Sequence, residues 1–287
     1  METLVELEAL SFKYSGEERL ALNNVSLRAK AGEYILLTGP SGCGKSTLAR
    51  VLIGLIPHFY SGELNGKAIV AGYDIMRTPT YVLAKHVGLV FQDPENQLFL
   101  SNVEREIAFG LENIGLSARE IGRRVMKTMK ELNIYHLKDK APYELSGGQQ
   151  QKVAIASVLA MEPEILILDE PTANLDPRSA DEILGLIHSL VREKGILAIL
   201  IEHRLELAAK YVSRIIIMNE GSIIADGDPR NVLLNPKANI IGVPNVVTLS
   251  RRMCETGIKL NKIPLTPHEF VSAVRSLVKN YERSYRS

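Results

Sequence analysis

The segment Gly39-Pro40-Ser41-Gly42-Cys43-Gly44-Lys45-Ser46-Thr47 fits the template G-x-x-x-x-G-K-[ST], whose chemistry is the gripping of phosphate. Glycines let backbone N–H groups curl around phosphate oxygens, and a helix beginning there adds partial positive charge. Lys45 supplies a full charge near the β- and γ-phosphates, the Ser46 hydroxyl suits Mg²⁺, and Thr47 suits the α-phosphate. Cys43, inside the loop, reads as a small tolerated residue rather than a redox handle. Further on, Asp169 and Glu170 end the apolar run Ile165-Leu166-Ile167-Leu168. Asp169 is placed to hold Mg²⁺ through water, and Glu170 is the candidate general base for an attacking water.

These residues need strands and helices to hold them. Tyr34–Thr38 is a short continuous apolar run before Gly39, as in a buried strand, and Ser46–Leu55 reads as the helix after the glycines. Val5–Ala9 alternates apolar and acidic residues, as a half-buried strand does. Val87–Phe91, Ile165–Leu168, Leu197–Ile201 and Ile215–Met218 are further buried-strand candidates, with helical patterns at Ser179–Glu193 and Leu205–Val212. This alternation predicts a parallel sheet flanked by helices. Asn102–Glu144 carries no strand signal. There Ile121, Val125, Met129 and Leu132 recur at helical spacing opposite Arg123, Lys127 and Lys130, predicting an all-helical insertion.

Composition limits what such a site can serve. The chain has 287 residues, 46% hydrophobic and 23% charged, which is enough to bury a sizeable core and rules out wholesale disorder. Lys plus Arg number 34 against 33 acids, a balance that argues against binding long nucleic acid by charge alone. Cys43 and Cys254 make neither a disulfide framework nor a metal pattern, so a reducing compartment is expected. No secretory leader is expected, since acids interrupt the apolar residues from Met1 to Glu8. The longest apolar runs fall far short of the roughly 18 residues of a membrane helix.

Leu145-Ser146-Gly147-Gly148-Gln149 opens another helix. Serine is a good N-cap in its own right. A second glycine-serine helix start nevertheless makes sense if it reaches a γ-phosphate held by a different subunit. LSGGQ is the signature of ATP-binding-cassette (ABC) ATPases, and here it lies about twenty residues before Asp169, as in that family. The resemblance covers nearly all of residues 1–230. It implies an α/β fold: a P-loop NTPase core of mostly parallel sheet, an N-terminal antiparallel β subdomain, an inserted all-helical subdomain and a C-terminal extension. The implied ATPase domain is 1–243, with the insert at about 102–144 and a basic extension over 244–287.

The resemblance also implies site roles and cofactors, ATP and Mg²⁺. Tyr14 falls where the family stacks an aromatic on adenine; the alternative is a core-packing ring. Gln92 matches the glutamine that contacts Mg²⁺ and the lytic water. Asp176, in Asn174-Leu175-Asp176, matches an aspartate that signals across the dimer interface, and His203 the switch histidine that senses γ-phosphate. Ser146, Gly147, Gly148 and Gln149 would meet nucleotide held by the other protomer. Two departures stand out: Gln151-Lys152 after the signature, and Glu202 where many cassettes have Thr or Ser.

Residues Val90–Phe99, Glu104–Asn113 and Glu202-His203-Arg204 look like the energy-coupling-factor (ECF) branch, whose ATPases power vitamin or transition-metal-ion uptake. That implies a second ATPase subunit, identical or homologous, an integral membrane coupling protein, a substrate-binding membrane subunit, no nucleic acid, and a peripheral place on the cytoplasmic membrane face. Gln97, Leu98 and Phe99 would meet the coupling protein or, alternatively, pack within the insertion. The tail (Arg251, Arg252, Lys259, Lys262, Arg275, Lys279, Arg283, Arg286) is read as a dimerisation element or a solvated or lipid-facing surface. The rival readings are a soluble cassette acting on DNA or ribosomes, the ATPase of another transporter class, and a binding module that never hydrolyses ATP.

Overall fold

The computed structural model describes residues 2–258 and 260–286. Lys259 and the side chains of Lys279, Arg283 and Arg286 lie outside the described residues. Strands β1 (Thr3–Tyr14) and β2 (Leu22–Lys30) form an antiparallel pair. β3 (Tyr34–Thr38) leads through the glycine loop into α1 (Lys45–Leu52). Then come α2 (Leu55–His58), β4 (Gly62–Val70), β5 (Tyr73–Asp74), α3 (Thr80–Leu83) and β6 (Val87–Val90). Helices α4 (Val103–Asn113), α5 (Ala118–Glu131) and α6 (Gly147–Leu159) precede β7 (Ile165–Asp169), α7 (Pro177–Lys194) and β8 (Leu197–Ile201). α8 (Leu205–Ala208), β9 (Arg214–Asn219), β10 (Ser222–Gly227), α9 (Pro229–Leu234), α10 (Asn245–Glu255) and α11 (Pro267–Arg286) complete the order.

Two sheets result. One is antiparallel, β2-β1-β4-β5; the other runs β10-β9-β3-β8-β7-β6 and is parallel except for β10. The parallel strands bury both faces, and alternate residues serve two cores. Ile35, Leu37, Ile167, Ile199 and Ile201 join the core shared with α1 and the antiparallel sheet. Leu36, Leu166, Leu168, Ala198 and Leu200 face the opposite core, with α4 to α7. Each buried Leu or Ile contributes roughly 1.5–3 kcal/mol, so a one-residue register slip, which exchanges the two faces, is strongly opposed. Register aligns Leu37, Ile201 and Asp169 in one row, which brings the C-terminal strand ends level.

The fold is the α/β architecture expected, with differences at element ends. The helix read over Ser46–Leu55 stops at Leu52, because Gly54 turns left-handed (φ +74°). The helix read over Leu205–Val212 ends at Ala208; the N–H and hydroxyl of Ser213 both bond Tyr34 O and draw the chain into β9. Between residues 97 and 145 only helical elements occur among the described residues. Val125, Met129 and Leu132 are buried there while Arg123, Lys127 and Lys130 are exposed, the division their spacing predicts. No helix of the described residues is long and apolar enough to cross a membrane.

Candidate nucleotide site

Two of the phosphate-loop glycines are dictated by the chain itself. A Cβ on Gly39 (φ +154°) would lie 2.2 Å from Met218 O, and one on Gly44 (φ +108°) 2.5 Å from Ala21 O. Gly42 also takes a left-handed φ, +74°. Gly44 begins α1 without any side-chain cap, so the helix presents its first N–H groups to whatever enters the loop. Pro40 O and Gly39 O accept the Lys45 ammonium at 3.0 and 2.9 Å, holding the cation under the loop; Lys45 is buried. Ser41 is exposed, Cys43 is buried with its sulfur 3.8 Å from Lys45 Nζ, and Ser46 is exposed.

Tyr14 leaves the end of β1 beside this loop. Its hydroxyl lies 3.2 Å from Thr47 Oγ1 and accepts from Arg50 at 2.9 Å, and its ring meets Phe12 edge-on with centroids 4.7 Å apart. Arg50 is a neighbour the sequence reading overlooked. One polar side chain facing a tyrosine across a loop leaves no periodic signal.

At the end of β7, Asp169 is partly buried and lies near the Ser46 hydroxyl. Burial and then the Glu170 charge push its carboxyl above the usual aspartate range, against the pull of the nearby Ser46 hydroxyl, Lys45 and Arg50. Ser46 and Asp169 thus pair two hard oxygen donors, which fits a Mg²⁺ that keeps waters and takes phosphate oxygens. Gln92 follows β6, the strand beside β7, and is exposed.

Glu170 adopts φ +47°, the left-handed region that side chains disfavour, with its N–H on Ile201 O at 2.9 Å. That turn carries its carboxylate to 3.2 Å from His203 Nε2. The acid at one strand end and the imidazole at the next are in direct contact.

The signature residues form a second cluster. Ser146 caps α6: its Oγ accepts from Gln149 N at 3.4 Å, while Gln149 Oε1 accepts from Ser146 N at 3.1 Å. A Cβ on Gly147 or Gly148 would find only ordinary contacts, 3.7 Å to Leu175 and 3.5 Å to Ser179. Asp176 caps α7, accepting from Arg178 N, Ser179 N and the Ser179 hydroxyl at 3.0, 3.1 and 2.5 Å. The Ser179 bonds, hydroxyl first, hold its carboxyl below the usual range.

A groove of about 1170 Å³ opens between this cluster and the insertion, lined among others by Gln92, Asp93, Phe99, Tyr143 and Leu175. Asn174 donates to Asp93 across it at 2.8 Å. Of the three residues expected either to meet the coupling protein or to pack within the insertion, Gln97 turns back to accept Phe91 N at 3.1 Å, and Leu98 is buried in the core of the insertion. Phe99 alone stands out, 66% exposed. Buried Glu106 sets that loop by accepting the N–H groups of Phe99 and Leu100 at 3.0 and 2.7 Å.

The family model for "ABC transporter" matches residues 22–173, more than half the chain. The chain belongs to the ABC transporter family. A putative ABC transporter ATP-binding protein of Methanosarcina mazei is 43% identical over 254 residues, 87% of this cassette. The cassette spans only 43% of that protein's length, and 41% of a similarly described relative from Methanosarcina acetivorans. An energy-coupling factor transporter ATP-binding protein, EcfA2 of Clostridium tetani, is 41% identical, with coverage of 90% of this cassette and 91% of that protein. Among solved structures, CbiO1 of Clostridium perfringens, described as part of the ABC transporter complex CbiONQ, superposes with a TM-score of 0.76. Identity there is 34%, covering 90% of this cassette and 98% of that chain. An ATP-binding cassette solved as a dimer with ADP and Pi gives 0.68 at 29% identity, covering 79% and 99%.

Proposed function

We propose that this ABC-family ATPase hydrolyses ATP to drive an ECF-type importer of a vitamin or transition-metal ion. It would work at the cytoplasmic face of the membrane, as one half of a head-to-tail pair with an identical or homologous ATPase. An integral coupling protein would rest in the groove beside Phe99, and a substrate-binding membrane subunit would choose the cargo. One observation carries the reading. Lys45, Ser46, Asp169, Glu170 and His203 meet at level strand ends, whereas the signature glycines answer no steric need inside their own chain. Glycine retained without internal cause suits close approach by something external. The likeness to EcfA2 and CbiO1 supports the transporter branch.

The glycine loop and Lys45 would bind the phosphates and Tyr14 the base. Mg²⁺, held by Ser46, Gln92 and, through water, Asp169, supplies charge neutralisation at the phosphates when bound. Glu170 would take the proton of the attacking water, with His203 fixing the carboxylate's direction. Ser146 and its helix end would close over nucleotide on the other protomer, and Asp176 would report that closure. Catalysis of this kind rests on positioning and charge.

Glu170→Gln is the direct test. ATP binding and nucleotide-dependent dimerisation should persist while turnover falls about 10²–10⁴-fold. Phosphate release near the wild-type rate would remove Glu170 from the role of base. Affinity purification from native membranes tests the transporter reading; recovery without integral membrane proteins counts against it.

A further inference from the structure

Glu202 has no part in the scheme above, yet it is 2% exposed and every bond of its carboxylate goes to a loop bearing the machinery. Oε1 accepts the backbone N–H groups of His203 at 2.8 Å and Arg204 at 3.0 Å. Oε2 accepts the hydroxyl of Thr172, a fully buried residue. Arg204 completes the bracket, its Nη1 donating to the carbonyls of Thr172 at 2.9 Å and Leu175 at 3.0 Å. The segments 170–175 and 201–204 are therefore stitched together beside the Glu170–His203 contact.

Such stitching answers a physical need. Glu170 sits in a left-handed conformation, which persists only where its surroundings over-determine it. The His203 side chain is 43% exposed, so little packing fixes its ring. Charge-assisted bonds from a buried carboxylate to backbone N–H groups are short and directional. They set where the His203 Cα stands and hence where its imidazole points.

We propose that Glu202, with Arg204, is a positioning residue. It holds the His203 imidazole against the Glu170 carboxylate and locks both to the loop entering Asp176, so that the three move as one body. The idea rests on the hydrolytic reading given above. Because its oxygens are spent on Thr172 and two backbone amides, Glu202 acts on geometry and not on nucleotide affinity. Glutamine keeps the same arrangement, its amide oxygen accepting both N–H groups and its amide nitrogen donating to the Thr172 hydroxyl.

The experiment uses the full chain with ATP and Mg²⁺. Steady-state phosphate release is normalised to the number of ATP-binding sites found by titration, for wild type and the Glu202→Ala, Glu202→Gln, Arg204→Lys and Glu170→Gln variants. Glu202→Ala should lose about tenfold or more in kcat with KM and site number unchanged, and Glu202→Gln should restore most of it. Arg204→Lys, which leaves the buried carboxylate in place, should show the same split even if Glu202→Ala folds poorly. Wild-type kcat per site in both Glu202→Ala and Arg204→Lys overturns the proposal. A kcat loss in Glu202→Gln as deep as in Glu202→Ala also overturns it, by making charge rather than geometry the agent. Glu170→Gln separates the layers. If it is inactive while the bracket variants are active, only the bracket is wrong; if it hydrolyses normally, the hydrolytic reading fails and the bracket with it.

Discussion

The starts of α1 and α6 are both glycine-rich, and they are built in opposite ways. At α1 the cap is a left-handed Gly44 with no side-chain bond, and the loop before it is folded so tightly that Gly39 and Gly44 admit no Cβ. At α6 a reciprocal Ser146–Gln149 box satisfies the end, and Gly147 and Gly148 have room around them. The first end presents helix N–H groups with no side-chain cap, ready for an anion, in a loop that only glycine can fold. The second is satisfied in its own chain, and under the proposed function it would become a site only when a ligand displaces the cap. A preformed half-site and a latent one would suit the pocket shared between two protomers that is proposed above.

The largest effect should come from adding one methyl group at the strained end. Gly44→Ala forces a Cβ onto Ala21 O in a disfavoured conformation, and we expect a loss of roughly 2–5 kcal/mol with phosphate affinity lost as well. Chemical denaturation measures it. A wild-type midpoint would mean that the loop is not the taut element described.

The same end should be costly electrostatically. The Asp169 carboxyl lies above its unfolded value of about 3.9, so the folded chain holds that proton more tightly. Stability from this group is complete below the unfolded value and declines as pH rises through the raised one. Asp169→Asn removes the penalty. At neutral pH the nucleotide-free variant should melt higher, by under about 4 °C since the carboxylate is only partly buried. The gain should vanish below about pH 3.9. Thermal scans across pH check both halves, and an unchanged neutral melting point would show that the site stores no such strain.

The taut end was also the more legible one. Continuous apolar runs announce β3, β7 and β8 because strands buried on both faces have no polar positions, and the loop and carboxylates follow at their ends. β2, β4 and β10 carry exposed residues on at least one face, so their patterns merge with loop sequence; most of β4 is exposed. α8 looked longer because Ala209 to Val212 continue its apolar spacing, and only the distant Tyr34 carbonyl ends it. Buried acids were invisible for a similar reason. Glu106 and Glu202 bury their charge against backbone N–H groups a few residues away, and nothing in a local pattern distinguishes them from surface glutamates. For Gln97 and Leu98 two readings stayed open, outward contact or packing within the insertion, since which way a side chain turns depends on Phe91 N and on the core of the insertion.

The smallest effect is the most discriminating for the latent end. Gly147 and Gly148 occupy the first turn of α6, where alanine suits a helix better and an added Cβ meets neighbours only at 3.5–3.7 Å. Gly148→Ala should therefore stabilise the isolated chain by about 0.4–1 kcal/mol, chiefly by restricting the unfolded state. Nucleotide binding to the isolated chain should be unaffected, because the glycine loop and Lys45 that would grip the phosphates lie apart from Gly148. ATP-dependent dimerisation, measured in a Glu170→Gln background by light scattering, should weaken, and turnover in an otherwise wild-type chain should fall with it. Opposite signs for stability and activity in one substitution would place the reason for glycine outside the protomer. A loss of both would mean that the turn at Ser146 is constrained from within, and the contrast between the two helix starts would disappear.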